Sequence, residues 1–277
     1  MPGTLYIVAT PIGNLEDVTL RALRILKEAD LVAAEDTRHS RKLFSHYGIS
    51  TPMTSYFQHN EASKGERILE ALRQGKSVAL ISDAGTPAIS DPGFDLVRRC
   101  REEGLPVVAV PGPSAVVAAL SVTGLPTSRF AFEGFLPPKT QARRLVLRRL
   151  KGEDRTCVFY ESPHRLAAAL EDLQAELGSE REVAVARELT KIHEELFRGT
   201  VAEAIAHFGR GRVRGEIVLM VAPAPEEEPR GTVKEALRKW REDTDLSRRQ
   251  VVKEVARDFG LPVKEVYRES LELDEEG

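Results

Sequence analysis

Four short stretches of the chain combine glycine, proline and small polar residues in a way that can cradle a ligand. They are residues 10–14 (Thr-Pro-Ile-Gly-Asn), 35–38 (Glu-Asp-Thr-Arg), 83–93 (Asp-Ala-Gly-Thr-Pro-Ala-Ile-Ser-Asp-Pro-Gly) and 111–114 (Pro-Gly-Pro-Ser). Gly85 and Gly93 allow a backbone to approach a bound molecule closely, while Thr86, Ser90 and Asp91 offer polar atoms without bulk. The third stretch is longer than the usual strand-to-helix connection of roughly 2–6 residues, which suggests that it holds something. Several common chemistries lack their signatures. No G-x-G-x-x-G follows the first apolar run and there is no G-x-x-x-x-G-K-[ST], so neither a dinucleotide site nor a P-loop is predicted. The histidines at 39, 46, 59, 164, 193 and 207 form no H-E-x-x-H and the cysteines no C-x-x-C, so no metal site is expected. A G-x-S-x-G nucleophile elbow is also missing.

Each of these stretches ends an apolar run that reads as a buried strand: residues 5–9, 31–34, 77–81 and 107–110, with a further strand at 53–56. Between them lie helical patterns. One carries Val18, Leu20, Leu23, Ile25 and Leu26 behind a cap at Asp17. Others cover 40–46, 60–74 (stopped by Gly75), 94–103 (opened by Asp91 as cap and Pro92), and the apolar run after Ser114. Strict alternation of strand and helix predicts a parallel sheet with helices on both faces. The four loops then converge at the carboxyl ends of its strands, where open α/β sheets bind ligands.

Residues 123–128 read as a hinge. Beyond them come strands at 130–135, 157–160, 183–187, 195–199 and 216–222, interleaved with helices at 140–150, up to 177, and 200–208: an α/β lobe with some antiparallel strands. Pro223-Ala-Pro-Glu-Glu-Glu-Pro229 is a linker. Helices at 232–242, after the capping box Ser247-Arg-Arg-Gln250, and at 263–271 give the tail a helix-turn-helix shape. The expected organisation is therefore α/β, with lobes at 1–122 and 123–224 and a small helical domain at 230–277.

Across 277 residues, 30% are charged and the formal net charge is −3, which excludes a generally basic nucleic-acid coat but not a local basic patch. No run is apolar over a membrane-spanning length, no signal peptide is evident, and Cys100 and Cys157 suggest no disulfide framework. These features predict a soluble, cytoplasmic protein.

Taken together, the loops resemble the tetrapyrrole methylase superfamily, the class III S-adenosylmethionine methyltransferases. Residues 85–93 match the family's G-D-P-x-x-x-G loop, with Thr86 where aspartate is usual, and Pro111-Gly-Pro-Ser114 matches its P-G-x-S turn. The motifs A-T-P-I-G-N-L, E-D-T-R, S-D-A-G-T-P-A-I-S-D-P-G, P-G-P-S-A, G-F-L-P and F-Y-E-S-P-H-R resemble one branch, whose members methylate the ribose 2′-oxygen of a cytidine in the decoding centre of 16S ribosomal RNA. The resemblance implies S-adenosylmethionine held in a cleft between the two lobes. Ile12 would line its adenosyl side, Gly85, Thr86 and Ile89 its methionine portion, Ser114 and Ala115 would cover it, and Tyr160 and Glu216 would close over the adenine.

On that reading a ribose hydroxyl must lose a proton as it attacks in line, so a base is expected nearby. Asp36, Asp83 and Glu161 are the carboxylates at the strand-end crevice. Asp36 is preferred as base, with Arg38 orienting the substrate. The RNA-facing candidate is residues 139–151, in which Lys139, Arg143, Arg144 and Arg148 would contact phosphates while Leu145, Leu147 and Leu150 face the core. The 30S subunit and a second copy of the chain are the expected partners. Two other readings stay open: a methyltransferase acting on a corrin or other tetrapyrrole precursor, which the arginine-rich helix and the tail speak against, and a helix-turn-helix regulator, which the near-neutral charge speaks against.

Overall fold

The five apolar runs of the first lobe become β1 (Leu5–Val8), β2 (Leu31–Ala34), β3 (Met53–Ser55), β4 (Val78–Ile81) and β5 (Val107–Val110). They form an all-parallel sheet in the order β3-β2-β4-β1-β5. The structure is a computed structural model and describes residues 2–209, 213–225, 231–243 and 246–275. Successive strand residues point to opposite faces, and both faces are covered. Val8, Val32, Ala34, Ala79 and Ile81 pack with Ile25 and Leu26 of α1 (Leu20–Glu28) and Leu43 and Phe44 of α2 (Thr37–Tyr47). Leu5, Ala33, Val78 and Leu80 meet Ile68, Leu69 and Leu72 of α3 (Glu61–Arg73) and Leu96 and Cys100 of α4 (Phe94–Glu102). The chain leaves β1 toward β2 on one side and β4 toward β5 on the other. A crevice therefore opens between the carboxyl ends of these two neighbours.

Three helix starts in the first lobe differ from the sequence reading, α2 beginning at Thr37 rather than at residue 40. Asp17 ends a short 3₁₀ turn, and the cap of α1 is Thr19, whose Oγ1 accepts the Ala22 N–H at 3.1 Å. α4 begins at Phe94, with Gly93 as its cap, rather than at Asp91-Pro92. Gly93 sits at φ 131°, and a Cβ there would lie 2.6 Å from Leu80 Cδ2, so this glycine serves packing against β4.

α5 (Ala115–Thr123) leads to a second sheet of β6 (Phe130–Phe135), β7 (Thr156–Glu161), β8 (Glu182–Arg187), β9 (Glu195–Thr200) and β10 (Ile217–Val221), in the order β6-β7-β10-β8-β9. β6 runs parallel to β7 and the other pairs are antiparallel, so this sheet is mixed. One face is covered by α6 (Thr140–Arg148), α7 (Leu166–Leu177) and α8 (Val201–Phe208). The other face, through Val158, Ala184, Ala186, Val218 and Met220, packs on Val116, Ala119 and Leu120 of α5. Both sheets belong to one compact unit, Met1–Ala224.

Pro225–Gly277 forms a separate unit. In it α9 (Val233–Asp243), α10 (Arg248–Asp258) and α11 (Val263–Glu275) share a core of Val233, Leu237, Val251, Val252, Val255, Val266 and Leu273. The Ser247 N–H donates to Gln250 Oε1 at 3.0 Å at the start of α10. Most of the linker expected at 223–229 lies outside the described residues.

Candidate functional site

The loops at the β1 and β4 ends are tied to each other by main chain. Thr10 N–H donates to Gly85 O at 2.9 Å and Gly85 N–H to Thr10 O at 3.0 Å, while Thr10 Oγ1 donates to Ser82 O at 3.2 Å. Thr86 Oγ1 donates to Pro113 O at 3.3 Å, which brings in the loop after β5. Within the long loop Ala88 and Ser90 have φ of 67° and 63°. Left-handed backbone at non-glycine residues costs on the order of 1–3 kcal/mol each and persists only where the surroundings fix it.

These loops and the second sheet enclose a cavity of about 560 Å³. All eight residues singled out as cofactor contacts line it: Ile12, Gly85, Thr86, Ile89, Ser114, Ala115, Tyr160 and Glu216. Tyr160 is flanked by Phe132 and Phe135, with ring centroids 4.9 and 5.5 Å away. Burial pushes its hydroxyl pKa up, and the charges of Asp91 and Glu216 add to this, so it keeps its proton at neutral pH and can donate a hydrogen bond. Burial likewise raises Asp91, against a hydrogen bond from Ser82, and raises Glu35, which also feels Asp91. Glu161 is the more telling neighbour. Its Oε1 accepts the Ser162 N–H at 2.7 Å and pairs with Arg165 at 2.7 Å, whereas Oε2 is buried without a partner. A buried carboxylate oxygen left unpaired is costly. A mostly apolar slot with one unmet acceptor fits a flat heteroaromatic ligand that carries N–H groups.

Other expected site residues lie elsewhere. The carboxylate of Asp36 caps α2, with Oδ1 accepting the Arg38 N–H at 2.7 Å, and neither Asp36 nor Arg38 lines this cavity or the smaller one beside it. A short carboxylate before a helix satisfies the local orphan N–H groups, as Asp36 does here. Asp83 does reach the crevice; its Oδ1 accepts the Asp36 N–H at 3.0 Å. In α6 the basic face is not the one expected. Arg143 is buried, with its guanidinium on Asp172 at 2.6 Å and on the carbonyls of Pro137 and Pro138, so it is not a surface phosphate ligand. Arg144 pairs with the same Asp172 and Arg148 with Glu176. Lys139 is exposed, and Leu145, expected in the core, is 54% exposed.

The connection between β8 and β9 carries a feature that sequence reasoning passed over. Glu188 and Thr190 have φ of 53° and 65°. The Asn14 N–H donates to Thr190 Oγ1 at 3.1 Å, and Lys191 Nζ reaches Glu188 Oε1 at 2.6 Å and Glu216 Oε2 at 2.9 Å. Gly13 makes this approach possible: a Cβ there would lie 2.5 Å from Lys191 Cγ and 2.9 Å from Leu189 O. Neither left-handed residue is a glycine, so the sequence carries no sign of the turn.

A parallel-sheet lobe facing a mixed-sheet lobe across such a cavity is a fold shared with solved methyltransferases. Cobalt precorrin-4 methyltransferase matches with a TM-score of 0.60 at 18% identity, over 79% of this chain and 94% of that one. The family described as Tetrapyrrole (Corrin/Porphyrin) Methylases matches residues 4–205, and the chain belongs to it. Among its relatives is the "Ribosomal RNA small subunit methyltransferase I" of Synechocystis sp., 47% identical over 99% of this chain and 100% of the relative. The protein of the same name from Thermotoga maritima is 51% identical over 79% of this chain and 98% of its own length. No helix among the described residues is long and apolar enough to cross a membrane.

Proposed function

We propose that this protein transfers a methyl group from S-adenosylmethionine to the 2′-oxygen of a cytidine ribose in the decoding centre of 16S ribosomal RNA, acting in the cytoplasm on the RNA or the 30S subunit. The observation that carries this reading is the near-full-length identity to relatives named for small-subunit ribosomal RNA methylation, joined to a cavity suited to the cofactor. Bound there, S-adenosylmethionine supplies a methyl group on a sulfonium, an electrophile that needs no metal. The unpaired Glu161 Oε2 accepts from a cofactor N–H group, Tyr160 and Ile12 supply apolar contact, and the loop of Gly85, Thr86 and Ile89 holds the amino-acid end with Ser114 and Ala115 over it. The strained loop conformation and its ties to residues 10 and 113 hold these contacts in place before the ligand arrives, which reduces the cost of ordering on binding.

The functional unit is a homodimer. Val122 on α5, 54% exposed, is apolar surface available to a second copy, and sedimentation of the purified chain tests this. The activity is tested by incubating the protein with S-adenosylmethionine and 16S RNA, 30S subunits or a tetrapyrrole precursor, then mapping ribose methylation. A single methylated cytidine ribose is the expected result. Methylation of the tetrapyrrole alone, or no binding of S-adenosylmethionine by calorimetry, overturns the reading.

A further inference from the structure

Beside the cofactor cavity lies a second one of about 410 Å³, and the two share Ile12, Ala84 and Glu216 as a common wall. Its floor is Ile81 at the end of β4 and the buried Ser82 after it, followed by Asp83. His39 and Lys42, both exposed on α2, stand at one side and Lys191 at another. The volume falls in the range of roughly 300–1,000 Å³ typical of small-molecule pockets, enough for one nucleotide and too little for a duplex. Cations around a cavity with a carboxylate at its base match the chemistry of a nucleotide, which carries phosphates outside and a hydroxyl to be deprotonated within.

Lys191 is built into this wall rather than left to wander. An ammonium has three donors; Glu188 and Glu216 take two, which leaves one for a ligand. The turn that presents it is over-determined. Glu188 N–H donates to Glu216 O at 2.9 Å, Glu216 N–H returns to Glu188 Oε1 at 3.1 Å, and Thr190 is held by Asn14 and Glu194. A left-handed backbone at Glu188 and Thr190, sustained by so many bonds, marks a turn whose position matters.

We propose that this second cavity receives the single extruded nucleotide that is to be methylated, with Lys42 and Lys191 on its phosphates and Asp83 taking the proton of its 2′-hydroxyl. The inference rests on the function proposed above and adds the acceptor's place. As the ribose oxygen forms its bond to the methyl carbon, the methyl–sulfur bond breaks with its electron pair staying on sulfur, and the hydroxyl proton passes to the Asp83 carboxylate. Extrusion of the nucleotide is needed because a stacked and paired ribonucleotide cannot enter a pocket of this size.

The test compares the full chain with Lys191→Met, Lys191→Arg and Asp83→Asn. Three quantities are read: S-adenosylhomocysteine affinity by calorimetry, binding of 16S RNA to the cofactor-free protein across a salt series, and methyl transfer. Lys191→Met is expected to weaken RNA binding about tenfold and lower the slope of log affinity against log salt by about one, with cofactor affinity changed by less than about twofold. Lys191→Arg keeps the charge and restores RNA binding. Asp83→Asn keeps both ligands and lowers kcat by about 100-fold or more. Wild-type RNA affinity in Lys191→Met together with wild-type kcat in Asp83→Asn overturns the assignment while the proposed function stands. A wild-type protein that binds S-adenosylmethionine but methylates no RNA overturns both.

Discussion

Gly13→Ala is the sharpest perturbation that the site offers. The new Cβ would lie 2.5 Å from Lys191 Cγ, 2.7 Å from Thr190 Oγ1 and 2.9 Å from Leu189 O. The lysine side chain can swing aside, but Leu189 O is backbone and Thr190 Oγ1 is bound to the Asn14 N–H, so the turn itself must move. Forcing one carbon into a filled contact costs about 1–3 kcal/mol. At a factor of ten for every 1.4 kcal/mol, the turn would be found in place roughly 5- to 150-fold less often. Because that turn carries Lys191, kcat/KM for methylation of small-subunit RNA is expected to fall by a similar factor. The melting temperature should drop by about 2–12 °C for a unit of this size. Labelled-methyl transfer on the RNA and calorimetric melting measure the two. Unchanged turnover with unchanged melting would refute the packing of residues 189–191 on Gly13. A lowered melting temperature with full turnover well below it would refute the turn's part in catalysis.

Asp172→Ala strands the buried Arg143 guanidinium, and urea unfolding should show a loss of about 3–5 kcal/mol, whereas Arg144→Ala, removing the exposed partner of the same carboxylate, should cost no more than about 1 kcal/mol. Burial pushes the Cys100 and Cys157 thiols up to about 11, so neither should react with a disulfide reagent at pH 8 until denaturant is added; reaction in the native state would contradict their burial. Hydrogen bonds from Arg155 lower the Glu153 carboxyl to about 2. A depressed acid contributes stability that is present above its unfolded value near about 4.3 and is lost as pH falls toward 2. Glu153→Gln should therefore flatten the stability profile in that window, and an identical acid-unfolding curve would remove the pair from the account.

Apolar strands separated by helical patterns fix the first sheet closely, because a fully buried parallel strand has no competing reading once helices of period 3.6 flank it on both sides. Six of the eight expected cofactor contacts, Ile12, Gly85, Thr86, Ile89, Ser114 and Ala115, reach one cavity because they follow β1, β4 and β5, which are neighbours in the sheet, while Tyr160 within β7 and Glu216 before β10 meet them from the second sheet. The Arg-rich helix was less legible. Leu145 and Leu147 are two apart and cannot share a helix face, and the inward set is Arg143, Leu147 and Leu150, a spacing that hides a charge because Asp172 on α7 is there to meet it. A partner on another helix leaves no trace in local spacing. Asp36 shows a similar ambiguity, since a carboxylate before a helix is suited both to capping and to catalysis, and the spacing alone does not reveal its bond to the Arg38 N–H. The Glu188–Lys191 turn depends on left-handed backbone at residues that rarely adopt it, which composition does not reveal.

α5 follows β5 of the first sheet in the chain, yet its buried face packs on the mixed sheet. Val116, Ala119 and Leu120 are nearly or fully sealed against strands of the mixed sheet, and Thr123 Oγ1 lies 3.7 Å from Met220 Sδ. Peeling α5 off the mixed sheet would wet this seam and forfeit its dispersion contacts. The turn after β5, whose Ser114 lines the larger cavity, is thereby anchored to the mixed sheet through the helix that follows it.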